Sequence, residues 1–321
     1  MATAPKFDRR PYSNLIHFGE AELGTVCWFL AIDISRKGIY TSFMISTPSL
    51  QSPSARYISR PDGRIAYDIQ GSGPLVVLVP GMGDLRAGYR FLAPELVAAG
   101  YTVATTDLRG HGDSDTTFSS YGDPETASDI EALIDELGGK AVIVGNSLAA
   151  GAAVIVAAEQ PAKVSGLVLL GPFVRNPSAS AFEAWMFRTM MAPLWVAAAW
   201  KAYMPTLYKG KKPVDFAEYR STVIASLKRP GYGKAFSLTT QQTTHDPAEA
   251  RLADVTAPAL ILMGDSDPDF TDPAGEARWI GEKLNAQVVI VPDAGHYPQS
   301  QRPDITTPAV LGFLEAVAPR A

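Results

Sequence analysis

One cysteine, Cys27, is all that 321 residues contain. An internal disulfide framework is therefore excluded, and so is a cysteine-ligated metal cluster. Histidine is scarce too: His17, His111, His245 and His296 are too scattered for a zinc-type spacing. No uninterrupted apolar run comes near the ~20 residues that a membrane-spanning helix needs. The run Val26–Ile32 is short and bounded by charge at Glu22 and Asp33. It lacks the long apolar centre and small-residue cleavage site of a secretory leader. The expectation from these absences is a cytoplasmic protein. Neither sign of charge is in excess: 28 Lys and Arg face 33 Asp and Glu, dispersed along the chain, for a net charge of −5. That balance offers no basic face to nucleic acid. What remains, 46% hydrophobic and 19% charged, is ordinary for a soluble globular chain. At this length it supplies one large α/β domain with an insertion.

The most informative stretch runs from Ala141 to Glu159. Ala141-Val142-Ile143-Val144 is apolar and rich in β-branched residues, the pattern of a buried strand. A sharp turn follows, Gly145-Asn146-Ser147-Leu148-Ala149. Ala150 to Glu159 is Ala-rich and reads as a helix that stops ahead of Gln160-Pro161. Strand, tight turn with Ser at its apex, then helix is a nucleophile elbow. The residue types have steric reasons, because a strained Ser backbone needs small neighbours two positions before and after it. Gly145 fills the first position. Ala149 fills the second, where Gly is usual, a departure of one methyl, and Ala150 and Gly151 keep the next turn small. The turn also places Ser147 at a helix N-terminus, where unpaired N–H groups favour developing negative charge.

The first 54 residues lack such a pattern. Tyr40–Ile45 has strand character, whereas Pro48, Pro53 and the serines around them read as linker. This segment is expected to be an upstream extension of unknown role, with Met44 a workable start. From Arg56 the pattern is regular. Arg56–Ser59 and Arg64–Gln70 flank Pro61-Asp62-Gly63 and predict a β-hairpin. Leu75–Val79 predicts a buried strand, Phe91–Ala99 a helix stopped by Gly100, and Val103–Asp107 the next strand. Asp123-Pro124-Glu125 starts a helix, with Asp123 as its capping side chain, and Gly138-Gly139 ends it. After the elbow, Val164–Leu170, Ala259–Met263 and Val288–Val291 predict strands, and Ala274–Leu284 and Asp304–Val317 predict helices. Strands apolar throughout, alternating with helices, argue for a mostly parallel sheet covered on both faces. The stretch from about 175 to 255 breaks the alternation. It is rich in Trp, Phe and Met and predicts a mainly helical insertion over the carboxyl edge of the sheet.

A Ser hydroxyl is a weak nucleophile until a base takes its proton, and a third group must orient that base. His296 is the base candidate, in Pro292-Asp293-Ala294-Gly295-His296-Tyr297-Pro298 just after the last strand. His17 falls in the extension and His245 in the insertion or its exit. His111 precedes Ser147 and is expected to brace a loop near the site. The carboxylate candidates follow the preceding strand, in Met263-Gly264-Asp265-Ser266-Asp267-Pro268-Asp269, where three Asp compete. An oxyanion hole calls for two backbone N–H groups, that of Leu148 and one from Gly81-Met82-Gly83, with Met82 preferred. Gly81 and Gly83 also open a dinucleotide fingerprint, but Arg86 stands where its third Gly belongs.

Taken in order, five motifs resemble the α/β-hydrolase superfamily: Pro80-Gly81-Met82-Gly83, Asp107-Leu108-Arg109-Gly110-His111-Gly112, Gly145-Asn146-Ser147-Leu148-Ala149, Gly264-Asp265-Ser266-Asp267 and Gly295-His296. The resemblance covers about residue 55 to the C-terminus. It lies with the capped branch that includes carboxylesterases, C–C hydrolases and epoxide hydrolases. It implies a mostly parallel eight-stranded sheet with helices on both faces, a core of residues 55–174 and 256–321, and a helical cap of residues 175–255. The family pattern puts the acid three residues after Gly264, which selects Asp267 over the runner-up Asp265 and leaves Asp269 one step too far. Some relatives carry the acid after the strand that follows the elbow. Here that place reads Leu170-Gly171-Pro172-Phe173, with no carboxylate.

The resemblance implies a serine hydrolase. Ser147 attacks an ester carbonyl, His296 acts as base and then acid, Asp267 orients it, and Met82 and Leu148 N–H groups hold the oxyanion. The expected substrate is a small or medium apolar carboxylic ester, cleaved through an acyl-enzyme. No cofactor and no metal are implied. Trp185, Met186, Met190 and Trp195 are candidates for the substrate pocket, because flat aromatics and flexible Met suit an adaptable apolar site. Ser rather than Asp at the elbow argues against epoxide hydrolase and dehalogenase chemistry. A rival is hydrolysis of a carbon–carbon bond in a vinylogous diketone, since Gly-Asn-Ser is common among those enzymes too. Arg188, Lys201 and Arg220 would then anchor a substrate carboxylate. A rival of another class is a non-catalytic ligand receptor on the same scaffold, against which the complete set of three side chains argues. Proline iminopeptidase chemistry would need an acidic anchor for a substrate amine, and none is located.

Overall fold

The computed structural model describes residues 55–177 and 180–320. The extension, with the Tyr40–Ile45 strand and the Met44 start, lies outside the described residues. The hairpin forms from β1 (Arg56–Arg60) and β2 (Gly63–Gln70), and β3 (Leu75–Val79) follows. Helix α1 (Leu92–Ala98) leads to β4 (Thr102–Thr106), and α2 (Asp123–Leu137) to β5 (Ala141–Asn146). Next come α3 (Leu148–Glu159) and β6 (Val164–Leu170). Five helices then intervene: α4 (Ala181–Met190), α5 (Val196–Leu207), α6 (Phe216–Leu227), α7 (Tyr232–Gln242) and the short α8 (Asp246–Glu249). The alternation resumes with β7 (Ala259–Gly264), α9 (Pro273–Leu284) and β8 (Gln287–Val291), and ends with the one-turn α10 (Pro298–Gln301) and α11 (Pro303–Val317).

The eight strands form one sheet in the order β1-β2-β4-β3-β5-β6-β7-β8. The β1–β2 and β2–β4 pairs are antiparallel, and every other pair is parallel. β3, β5 and β7 are buried at every residue. Helices cover both faces: α2, α3 and α9 pack on one, α1 and α11 on the other. A strand enclosed from both sides has no face on which a polar side chain could meet water, so its sequence is apolar without alternation. The edge strand β1, by contrast, buries only Ile58.

The inserted helices build a smaller core of their own around Met191, Trp200, Met204, Tyr219, Val223 and Phe236. That core continues onto Leu85 and Tyr297, which belong to loops of the sheet. Among the described residues no helix is long and apolar enough to cross a membrane. One expectation is corrected here: Asp123 is not a side-chain cap of α2. Gly122, at φ 126°, precedes the first turn and no side chain caps it. Asp123 instead turns its buried carboxylate to His245 Nδ1 at 2.8 Å. Inside the protein a ring nitrogen is a stronger claim on that carboxylate than a backbone N–H that helix-end solvation also serves.

Candidate active site

The elbow joins β5 to α3 at the carboxyl edge of the sheet. Ser147 sits there, half-buried, at φ 57° and ψ −123°. A non-glycine residue in that region costs about 1–3 kcal/mol, and the surroundings must hold it there. The hold is visible. Ser147 N–H donates to the Leu170 carbonyl at 3.0 Å, and its own carbonyl accepts from Ala150 N–H at 3.0 Å and Phe173 N–H at 3.3 Å. A Cβ at residue 145 would collide with the Ala149 carbonyl, so Gly145 is required by close approach. A Cβ at residue 81 would lie 2.7 Å from Ser147 Cβ, so the loop after β3 packs directly against the serine.

That loop is braced from three sides. Gly83 N–H donates to His111 Nε2 at 3.0 Å, which leaves the ring proton on Nδ1 to donate to the Arg109 carbonyl at 2.8 Å. Burial pushes the His111 pKa down to about 4, so the ring is neutral and can accept. Trp200 of α5 donates its indole N–H to the Gly83 carbonyl at 2.9 Å. Arg86 donates to Asp68 at 2.7 Å, to Asp113 at 2.8 Å and to Asp107. Burial opposes its charge, but these carboxylates, Asp107 first, hold the guanidinium ionised. Asp84 is wholly buried and accepts from the Tyr219 hydroxyl. Burial still pushes its carboxyl up to about 6.

His296 is carried by the loop after β8. Its backbone N–H donates to the Leu207 carbonyl, at the end of α5, at 2.8 Å. Its carbonyl accepts from Asn146 Nδ2 at 3.2 Å, and that same amide donates to the Leu170 carbonyl at 2.8 Å. The residue next to Ser147 is thereby tied to the backbone of His296. The His296 ring presents Nδ1 to Asp267 Oδ2 at 2.8 Å. Burial would lower the pKa of this imidazole, yet Asp267, then Asp269, outweigh it and hold the ring above its ordinary range. Asp265 is exposed and accepts from the Ser266 hydroxyl at 2.9 Å.

Asp269 departs from expectation. Its Oδ2 lies 3.5 Å from His296 Nδ1, because the backbone folds back at Pro268 and Asp269 N–H donates to Asp267 Oδ1 at 3.1 Å. Sequence spacing alone does not show that reversal. The donor atoms of Asp267, Asp269 and His296 lie within 4.8 Å of one another, the span of a small cation site. Nδ1, however, is the nitrogen already hydrogen-bonded to Asp267, so the cluster is accounted for as a hydrogen-bonded network.

The model of the alpha/beta hydrolase family matches residues 76–309. The chain belongs to that family. This hydrolase is 30% identical over 264 residues to 2-(acetamidomethylene)succinate hydrolase of Mesorhizobium japonicum, a match spanning 79% of this chain and 93% of the relative. It is 29% identical over 268 residues to a 2-hydroxy-6-oxononadienedioate/2-hydroxy-6-oxononatrienedioate hydrolase of Dechloromonas aromatica, spanning 79% and 91% of the two chains. Among solved structures, an esterase from Thermogutta terrifontis superposes with a TM-score of 0.68 at 24% identity, covering 83% of this chain and all of that one. A bromoperoxidase from Bacillus anthracis gives 0.71 at 20% identity, covering 82% and 100%. At such identities the solved structures show the fold alone.

The four pocket candidates of this hydrolase's aromatic-rich insertion differ in burial. Trp185, Met186 and Trp195 are 60%, 52% and 46% exposed. Phe182 and Trp185 stack on each other at 5.9 Å, and Met190 is half-buried against the inserted helices' own core. Composition marks the segment as apolar but not which side of each helix faces inward. The Phe173 ring lies beside His296, centroid to centroid 5.8 Å, with Phe270 4.8 Å from Phe173. Trp200 and Tyr203 of α5 approach from the insertion. One signal was available for these two: Trp200, Tyr203 and Leu207 recur at the i, i+3, i+7 spacing of a single helix face. Of the cations named for a substrate carboxylate, Arg188 and Lys201 are exposed and Arg220 lies 5.9 Å over the Phe216 ring.

Proposed function

We propose that Ser147, His296 and Asp267 form a catalytic triad that hydrolyses small to medium apolar carboxylic esters, beneath a cap made by residues 175–255. The observation that carries this reading is the 2.8 Å Nδ1–Oδ2 contact of His296 with Asp267, on a loop hydrogen-bonded to the residue beside Ser147. Asp267 keeps the Nδ1 proton in place and leaves Nε2 as the basic nitrogen for the serine hydroxyl. Ser147 then attacks the ester carbonyl, and the oxyanion is met by the N–H groups of Leu148, at the start of α3, and Met82. His296 returns the proton to the leaving alcohol, and water enters by the same general-base route to release the acid.

An ester is favoured over the dicarboxylate substrates in the relatives' names by the charges nearby. A doubly anionic substrate needs cations, but Arg86, Arg90, Arg109 and Arg175 are paired with Asp68, Asp215, Asp129 and Glu276 respectively. Close to His296 stand two further carboxylates, Asp269 and Asp84, which repel an anion. The wild-type chain should hydrolyse p-nitrophenyl butyrate, and Ser147→Ala should lower the rate by roughly 10³-fold or more. Turnover of the Ala variant at the wild-type rate would overturn the assignment.

A further inference from the structure

We infer that Asp269 is a positioning residue for the His296 imidazole, and that the Tyr203 hydroxyl, reaching from the inserted helix α5, holds Asp269 in that place. The inference rests on the reading of His296 as the base, and deepens it. Two carboxylates share one ring nitrogen, with Asp267 Oδ2 at 2.8 Å from Nδ1 and Asp269 Oδ2 at 3.5 Å. The two are joined, since Asp267 Oδ1 accepts from Asp269 N–H. Asp269 Oδ1, facing away from the ring, accepts from the Tyr203 hydroxyl at 3.0 Å. Each oxygen of the pair that the ring does not use is thus occupied by a donor that fixes its direction. A buried carboxylate aimed at an imidazole stabilises the cation formed when the ring takes the serine proton.

The helix that supplies Tyr203 makes this more than a local bond. Trp200, Tyr203 and Leu207 lie on one face of α5 and reach three different loops: the Gly83 carbonyl, the Asp269 carboxylate and the His296 backbone N–H. Asp269 is the member of this set whose charge acts on the ring. Among the described residues, the groups against His296 are Asp267 and Asp269 from the loop after β7, Asp84 from the loop after β3, Tyr297 beside it and Asn146 from the elbow, with Tyr203 of α5 bonded to Asp269. Phe173 adds a neutral ring. No cation is among them, so removing the Asp269 charge lowers the proton affinity of His296.

Four histidines make the measurement direct. The full-length chain, labelled with ¹⁵N-histidine, is titrated by NMR, with the His296 signals assigned from a His296→Asn sample. Asp269→Asn should move the His296 midpoint down by about 0.5 pH unit or more, a threefold or greater loss of proton affinity. Tyr203→Phe should move it the same way by less, and the double variant should match Asp269→Asn alone. A midpoint in Asp269→Asn equal to wild type would overturn the inference, as would a Tyr203→Phe shift that adds in full to that of Asp269→Asn. If Asp269→Asn does not fold, Tyr203→Phe carries the test, and an unmoved midpoint in it sinks the proposal. The titration needs no substrate, so it stands apart from the esterase assignment. Where p-nitrophenyl butyrate is turned over, the acid limb of kcat/KM should move with the NMR midpoint.

Discussion

Two buried His–Asp pairs each set an imidazole beside the Phe173 ring. In each, a ring nitrogen Nδ1 stands 2.8 Å from an aspartate oxygen: His296 with Asp267 and His245 with Asp123. The Phe173 ring lies 5.8 Å from the first imidazole and stacks on the second at 5.3 Å. Their surroundings differ. His296 has a second carboxylate, Asp269, and its loop is bonded to the residue next to Ser147. Near His245 the neighbours are structural. Asn146 has no counterpart there; instead Asn176 Oδ1 accepts the His245 backbone N–H at 2.9 Å, and Gly151 of α3 passes so near that a Cβ would sit 2.5 Å from Asp123 Oδ2. The second pair fastens the exit of the inserted helices to the start of α2. A carboxylate on an imidazole is thus no mark of catalysis by itself; what stands beside the pair decides.

The contrast can be pressed hardest by removing the acids. Asp267→Asn should lower kcat/KM on an ester substrate by about 10³–10⁴-fold, because an amide no longer enforces the Nδ1 tautomer. Asp123→Asn should leave kcat/KM within about threefold of wild type; an equal loss in both variants would erase the distinction drawn here. Next in size is a stability effect. His245→Ala should cost about 1–3 kcal/mol in urea unfolding, since it strands a buried carboxyl, with turnover retained. The finest effect is a cancellation on the loop after β3. His111, held neutral with a pKa near 4, contributes stability that is present above about 6.5 and fades as pH falls toward 4. Asp84, raised to about 6, contributes stability present below about 3.8 that fades as pH rises through 6. The two slopes oppose between pH 4 and 6. Asp84→Asn should therefore expose a loss of stability on acidification, and His111→Gln a loss on raising the pH, both read by urea unfolding across pH 4–8.

Much of the core was legible because both-face burial leaves a simple trace. β3 and β6 begin and end at the residues read from the sequence, since a run of aliphatic residues bounded by Pro74 and Pro80, or ended at Gly171, admits little choice. The elbow and the two loops bearing Asp267 and His296 were legible for a related reason: close approach at Gly81, Gly145 and Gly264 demands glycine in the chain itself. What escaped depends on directions that no spacing encodes. Asp269 needed the reversal at Pro268, and the role of Asn146 needed the His296 loop to arrive overhead. Trp185 and Trp195, pocket candidates on the inserted segment, are 60% and 46% exposed. In a helix packed on one side, composition does not say which side.

The threefold grip of α5 has a bearing on engineering. Exchange of the inserted segment between homologues is an obvious way to trade one substrate preference for another. In this chain such a graft would also discard the indole bond to Gly83, the phenol on Asp269 and the peptide carbonyl of Leu207 that receives His296 N–H. A chimera would need the donor's three matching loops as well, so selectivity and reactivity here must be transplanted together.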